Sequence, residues 1–230
     1  MLYEKAVSYA KRCISGEEVT TSEVKTQSEW FLADLDKQNS VEYAYYFDHK
    51  KLAVVENLLK LMCFATGIGV IGQRVYDKIA DFQAFFLANV FGWRCKDDSD
   101  KFRYRECVLF VPRKSAKTFL VAVVIIILML TEENYSEFYS ICLDRDLAGE
   151  VKKAIRQIIE ASPALTEYFK IPKTLSGRVE CLITHSFYQP RTAEANRNNA
   201  IRPSAFIADE YGAMKDNSNV AAMKSGQLSV

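Results

Sequence analysis

The chain has 230 residues, 49% of them hydrophobic and 26% charged, and 30 Lys and Arg stand against 29 Asp and Glu for a formal net charge of +1. That length and apolar fraction support a substantial core, read as one sizeable domain with a smaller appendage. The near-zero charge excludes a global basic field that would recruit nucleic acid non-specifically, so any DNA contact must be local.

In chain order, the opening stretch mixes charge with apolar residues at helical spacing (Tyr3, Ala6, Val7, Ala10, Ile14) and stops at Gly16, a helix terminator. That pattern is a helix, not a secretory signal. A second helix is expected around Trp30 to Leu35, and a third from about Lys50 to Phe64, ending near Gly67 and Gly69. Asp81 is placed to cap a helix whose apolar face is Phe82, Phe85, Phe86, Val90 and Phe91, with Gln83 in its first turn.

From Glu106 the pattern changes to short β-rich runs alternating with helices: Glu106 to Val111, Phe138 to Leu143, Val179 to Thr184 and Ala205 to Ala208. An amphipathic helix carrying Leu147, Val151, Ala154, Ile155, Ile158 and Ile159 falls between the second and third runs. This alternation predicts an α/β fold with a mostly parallel sheet flanked by helices. "FLVAVVIIILML" has 12 residues, short of the roughly 20 needed to span a bilayer, and predicts a buried helix with no membrane association. Six cysteines lie scattered without a Cys-x-x-Cys pair, which suits a reducing compartment.

"VPRKSAKT", residues 111 to 118, sits between a predicted strand and that buried helix. Strand, loop and helix in this order form a phosphate-binding loop: backbone N–H groups turn inward and the helix adds its positive end. In the pattern G-x-x-x-x-G-K-[ST], Lys117 takes the place of the lysine that reaches the β and γ phosphates, and Thr118 that of the hydroxyl that coordinates Mg²⁺. Val111 and Ala116 stand where the pattern has glycine. An Ala held at positive φ costs on the order of 1–2 kcal/mol, whereas at negative φ it is nearly free of strain. Taken alone, the octapeptide is equally a basic turn before a core helix, with Arg113 and Lys114 simply solvated.

The second motif is "SAFIADEYGAM". A short apolar strand delivering Asp209 and Glu210 at its end is the Walker B arrangement, with the Asp in the Mg²⁺ shell and the Glu polarising the attacking water. Asp144, at the end of "FYSICLD", is a competitor, but Arg145 follows it and no acid is there to serve as base. In open α/β sheets, ligands bind outside the carboxyl ends of the strands. Lys117, Thr118, Asp209 and Glu210 are therefore expected to converge.

Three segments in order, "DFQAFFLANVFGW", "VLFVPRKSAKT" and "AFIADEYGAM", resemble the ATPase domain of the large terminase subunit of tailed double-stranded DNA bacteriophages. The helical opening is similar to the N-terminal region of the same proteins. The resemblance implies a P-loop NTPase of the RecA-like (ASCE) class, divided into a helical region, 1–75, and an ATPase domain, 76–230. It implies that Gln83 reads adenine, whose edge needs both a donor and an acceptor. It also implies that Arg113 stabilises γ-phosphate charge as an arginine finger does, and that Lys114, Ser115 and Ala116 complete the ATP-binding loop with Lys117 and Thr118.

The implied cofactors are ATP and Mg²⁺, and the implied partners are double-stranded DNA, the portal protein and the small terminase subunit. A homo-oligomeric ring is expected in the assembled motor, with the isolated domain monomeric, working at the procapsid portal in the cytoplasm of the infected host. Ala116 departs from the glycine these enzymes keep before the lysine. The sequence stops at "MKSGQLSV", before the family's coupling motif and its nuclease domain, so DNA cleavage is not expected of this stretch. Two other readings stay open: a helicase-like ATPase, and a scaffold with a decayed phosphate loop. His49 and His185 have no partner at metal-ligand spacing. Arg191, Arg197 and Arg202 fall in a loop able to meet DNA phosphates or a neighbouring subunit, or merely to be solvated.

Overall fold

The computed structural model describes residues 1–142, 145–174, 177–192, 201–214 and 217–227. Contacts divide the chain into two compact units, one of Met1–Lys60 with Gln73–Phe110, the other of Leu61–Gly72 with Val111–Val230.

The first unit begins with α1 (Leu2–Ser15), α2 (Ser22–Lys37), β1 (Tyr45–Phe47) and α3 (His49–Leu61), followed by the single turn α4 (Val75–Lys78), α5 (Asp81–Gly92) and β2 (Trp93–Cys95). The buried stripe on α1 runs through Leu2, Ala6, Tyr9, Ala10 and Cys13, so it shares Ala6 and Ala10 with the expected one but is rotated away from Tyr3, Val7 and Ile14, which are half-buried. The helix stops at Gly16 with φ 83°, a left-handed conformation open to glycine at little cost. Asp81 does not cap α5. The cap is Ala80, whose N–H is accepted by Gln83 Oε1 at 3.2 Å. Asp81 is instead the first helical residue, and its Oδ2 accepts from Arg12 Nη2 at 2.7 Å. A carboxylate there still favours the helix, because it faces the positive end of the macrodipole.

β1 and β2 pair antiparallel with Phe47 opposite Trp93. Their aromatic side chains build the core of this unit: Phe31 meets Phe85 at 5.4 Å and Trp93 at 6.3 Å, both edge-on. At its margin the Arg103 guanidinium lies 4.9 Å from the Tyr45 and Trp93 ring centroids and 4.8 Å from that of Tyr104. Asp34 Oδ2 accepts from Arg103 Nη2 at 2.5 Å. Cation–π attraction and an ion pair thus hold one side chain in a largely desolvated place.

The second unit contains α6 (Lys117–Thr131), β3 (Glu137–Cys142), α7 (Arg145–Glu160), β4 (Phe169–Lys170), β5 (Val179–Cys181), β6 (Phe187–Thr192), β7 (Ala205–Ala208) and α8 (Ser218–Gln227). Its sheet runs β4-β5-β6-β3-β7. β3 lies parallel to both neighbours, β6 and β7, while β4–β5 and β5–β6 are antiparallel. The sheet is therefore mixed where the sequence suggested mostly parallel. The connection between β5 and β6 is too short for a crossover, and a short connection permits only an antiparallel pair.

β3 is buried from Phe138 to Cys142, as a strand covered on both faces must be. On one face Tyr139 and Ile141 join Met223 of α8, with Phe187, Phe206 and Ala208 packed against them. α6 and α7 pack on each other, and α7 also packs on β3 and β6. The apolar run of α6 is a core helix as expected, with Leu120, Val123, Ile125, Ile126 and Ile127 almost fully buried. The stretch Glu106 to Val111 forms no ladder, and Val108 and Phe110 are 90% and 96% exposed. Its apolar pattern favours a strand, but a strand exists only with a neighbour to bond, and no described strand pairs with it.

The first unit yields a stability prediction. Asp34→Ala leaves the Arg103 guanidinium buried without its counter-charge and is expected to lower the unfolding free energy by roughly 3 kcal/mol. Urea denaturation of the variant beside the unaltered chain measures this, and a midpoint that does not move would show that the rings alone hold Arg103.

Candidate nucleotide-binding site

The phosphate-loop candidate begins where α6 begins. Ala116 is the residue before the helix, at φ 55° and ψ 32°, and Lys114 also has positive φ, at 69°. These left-handed residues reverse the chain between Pro112 and Lys117, and Ser115 N–H is directed at Pro112 O at 3.4 Å. Ala116 thus adopts the strained alternative among those open to it. A Cβ there meets the carbonyl that a glycine would avoid. Leu120 N–H bonds back to Ala116 O at 3.0 Å, so the free amides of the first turn are those ahead of it. Arg113, Lys114 and Ala116 are exposed and Ser115 and Thr118 half-buried.

Asp209 and Glu210 follow β7 directly. Asp209 N–H bonds to Ile141 O at 3.1 Å, which extends the β3–β7 ladder by one step and fixes the carboxylate at the strand's carboxyl end. Lys117 Nζ lies 2.7 Å from Asp209 Oδ1, with 33% and 17% of the two side chains exposed. The same oxygen accepts Glu210 N–H at 2.9 Å. That bond accompanies a left-handed Glu210, φ 53°. The carboxylate of Glu210 stays exposed.

The site therefore combines a helix N-terminus, three cationic side chains on one loop and two acids at a strand end. Asp209 acts beyond its ion pair. Burial pushes the Tyr188 phenol upward, and the charge of Asp209 pushes the same way, against the Ser140 hydroxyl, which is 2.6 Å from the phenol oxygen.

Other expected residues are placed differently. Gln83 belongs to the first unit and is buried, with its Oε1 committed to the Ala80 N–H. Arg191 lies on β6 with its guanidinium 5.4 Å from the Tyr139 ring centroid. By the sheet pairing it shares a face with Ile141 and Ala208, and Asp209, one residue on, points to the other face. Arg202 is exposed. Asp144 and Arg197 lie outside the described residues. His49 packs edge-on against Tyr3 and His185 stacks on Tyr135. Among the described residues no group of three or more His, Cys, Asp or Glu forms a metal cluster, and no helix is long and apolar enough to cross a membrane.

Sequence reasoning missed a small cavity of about 160 Å³ that opens beside Thr118 and Phe119 and is walled by Thr66, Glu150, Ala154 and Gln157. Its far wall is held in place by Phe64, stacked on Phe119 at 4.7 Å and 13°, and by Cys63 N–H bonded to Ser162 Oγ at 2.8 Å. The spacing of Glu150, Ala154 and Gln157 puts them on one face of α7. That spacing was the available signal.

Residues 81–229 match the protein family described as "Terminase large subunit, ATPase domain". The fold is similar to the crystal structure of the HK97 bacteriophage large terminase, with a TM-score of 0.64 and 18% identity over 80% of this chain. The chain spans 36% of the length of that protein. No curated protein matches the sequence.

The left-handed Ala116 leads to a direct test. Ala116→Gly is expected to raise stability by up to about 1 kcal/mol, the relief of the Cβ clash less the added freedom of glycine in the unfolded chain. A thermal midpoint that stays level or falls would mean that the loop carries no such strain.

Proposed function

The chain belongs to the family of large terminase ATPase domains, and from that premise we propose that it hydrolyses ATP with Mg²⁺ to drive double-stranded DNA into a viral procapsid. The observation that carries the proposal is the 2.7 Å contact between Lys117 and Asp209. It supports a single rim at which a cation of the phosphate loop and an acid of a distant strand serve the same ligand.

The geometry supports a set of roles. Lys117 would exchange Asp209 for β and γ phosphate oxygens, and the free amides of the first α6 turn would bind the remaining phosphate charge. Arg113, exposed on the same loop, would reach the γ-phosphate as charge spreads over its oxygens. Hard oxygen donors suit Mg²⁺, and the hydroxyl of Thr118 and the carboxylate of Asp209 are such donors. Oδ1 of Asp209 is the atom held by Lys117 and by the Glu210 amide, and Oδ2 is the one left to face a cation. When bound, Mg²⁺ would neutralise phosphate charge and orient the leaving diphosphate. Glu210 would take the proton of the attacking water, and its exposure supports that access.

DNA, the portal protein, the small terminase subunit and further copies in a ring are the partners proposed for the whole motor. The proposed place of action is the procapsid portal in the cytoplasm of the infected host.

Two variants test the reading together. Lys117→Ala is expected to abolish Mg–ATP binding measured with a fluorescent ATP analogue. Glu210→Gln should keep binding while turnover falls about 10²- to 10⁴-fold. Failure of the unaltered chain to bind Mg–ATP would favour the scaffold reading instead.

A further inference from the structure

Five described residues other than glycine adopt positive φ, and they fall in two places. Lys114, Ala116 and Glu210 flank the nucleotide rim. The other two, Tyr135 at φ 65° and His185 at φ 56°, stack on each other with ring centroids 5.4 Å apart and planes inclined by 18°. Tyr135 lies beyond the far end of α6, a helix of 15 residues and therefore about 22 Å long. This second strained place has no part in the phosphate chemistry.

The turn that carries His185 is held from several sides. Cys181 N–H bonds to Ser186 O at 2.9 Å and closes it, Tyr135 N–H bonds to Thr184 O at 2.9 Å, and the buried Thr184 hydroxyl donates to Met129 O of α6 at 2.6 Å. Such over-determination lets strained residues persist. Yet this well-fixed corner shows apolar side chains to solvent, with Tyr135 73%, Ile183 54% and Leu182 50% exposed. Leu182 N–H bonds to Tyr168 O at 2.8 Å, which adds a further exposed ring. A linked apolar strip held rigidly in water marks an interface, whereas isolated exposed residues are ordinary.

The charge around the strip selects its partner. Glu133 is exposed, and its backbone carbonyl accepts from Ser186 Oγ at 3.4 Å, which puts it beside His185. At the other end exposed Glu167 lies against Tyr168, whose phenol pKa it pushes up. Lys170 faces Glu180 at 3.7 Å and the Arg178 guanidinium lies 4.2 Å from the Phe187 ring centroid, so these cations of the same sheet region have partners of their own. Acids at both ends repel phosphate groups, which disfavours nucleic acid and anionic lipid and favours a cationic partner.

We propose that Tyr168, Leu182, Ile183, His185 and Tyr135 form a docking surface for a protein segment that sets apolar side chains between two basic groups. The proposal goes beyond the nucleotide reading and does not depend on it. With so few residues the interface is of the small, transient kind, and micromolar affinity is expected.

The experiment is fluorescence anisotropy of a fluorescein-labelled amphipathic helical peptide of Leu and Lys, titrated with the 230-residue chain, beside the same peptide with Glu in place of every Lys. The Leu–Lys peptide should bind and the Leu–Glu peptide should not. Leu182→Ser combined with Ile183→Ser should weaken the Leu–Lys peptide about tenfold, the loss expected for two aliphatic side chains that a partner partly buries. Glu133→Lys combined with Glu167→Lys should weaken it by a similar factor and flatten its salt dependence. Val108→Ser combined with Phe110→Ser, which removes exposed apolar side chains elsewhere, should leave peptide binding level. Circular dichroism confirms that each variant folds, and the Leu182 and Ile183 variant should bind Mg–ATP as the unaltered chain does.

Equal binding of the two peptides would overturn the proposal, as would a Leu–Lys affinity that the Leu182 and Ile183 substitutions leave unchanged. Sedimentation showing that the chain associates with itself, and that the same substitutions abolish this, would overturn it too by making a second copy the occupant.

Discussion

The packing that fixes α6 and β7 brings Lys117 and Asp209 to one rim of the second unit, 2.7 Å apart. Their contact joins the start of α6 to the end of β7, segments about ninety residues apart in sequence. Neither partner is fully buried, so the attraction is screened and adds little to stability by itself. Its importance is geometric. The Asp209 carboxylate is fixed by the backbone ladder through the Asp209 amide and Ile141 O, and the lysine is fixed by the first turn of a helix whose body is core. Two rigid elements therefore place opposite charges at one rim without relying on the ion pair to assemble them.

The local backbone carries strain at the same rim. Lys114, Ala116 and Glu210 all adopt positive φ, a conformation that costs non-glycine residues, and all three flank the charged pair in sequence. Such outliers persist only where surrounding structure over-determines them. Here α6 is anchored by its apolar body and β7 by its ladder to β3, so the tight turns between fixed elements absorb the cost. Ala116 is thereby held at φ 55° despite its Cβ. The strain costs stability, and Lys117 lies 2.7 Å from Asp209 in its presence.

α7 joins the core of the second unit to the cavity beside Thr118. Its apolar stripe of Val151, Ile155, Ile158 and Ile159 is almost fully buried, packing toward β3, β6 and α6. The adjacent face, bearing Glu150, Ala154 and Gln157, is turned to the cavity beside the phosphate loop. One helix thus buries an apolar stripe in the core and lines a cavity with the neighbouring face, and the 3.6-residue period of the helix separates the two.

Much of this was legible in the sequence. Periodicity located α1, α5 and α7, because a helix buries a stripe that repeats along the chain, an unbroken apolar run located α6, and Gly16 marked the end of α1 because glycine takes that conformation cheaply. The motifs singled out Lys117, Thr118, Asp209 and Glu210 from local signals at a helix start and a strand end, and of these Lys117 and Asp209 lie 2.7 Å apart. What depended on long-range pairing was not legible. Glu106 to Val111 has a strand's composition and no neighbour among the described strands, while β6, which was not anticipated, pairs with β3 along its whole length. Asp81 looked like a cap until Arg12, from another helix, claimed its carboxylate. Local pattern determined which residues form elements and which carry charge. Only the tertiary structure decided which elements meet, since ladder bonds, cavity walls and ion pairs join residues whose separation along the chain leaves no local trace.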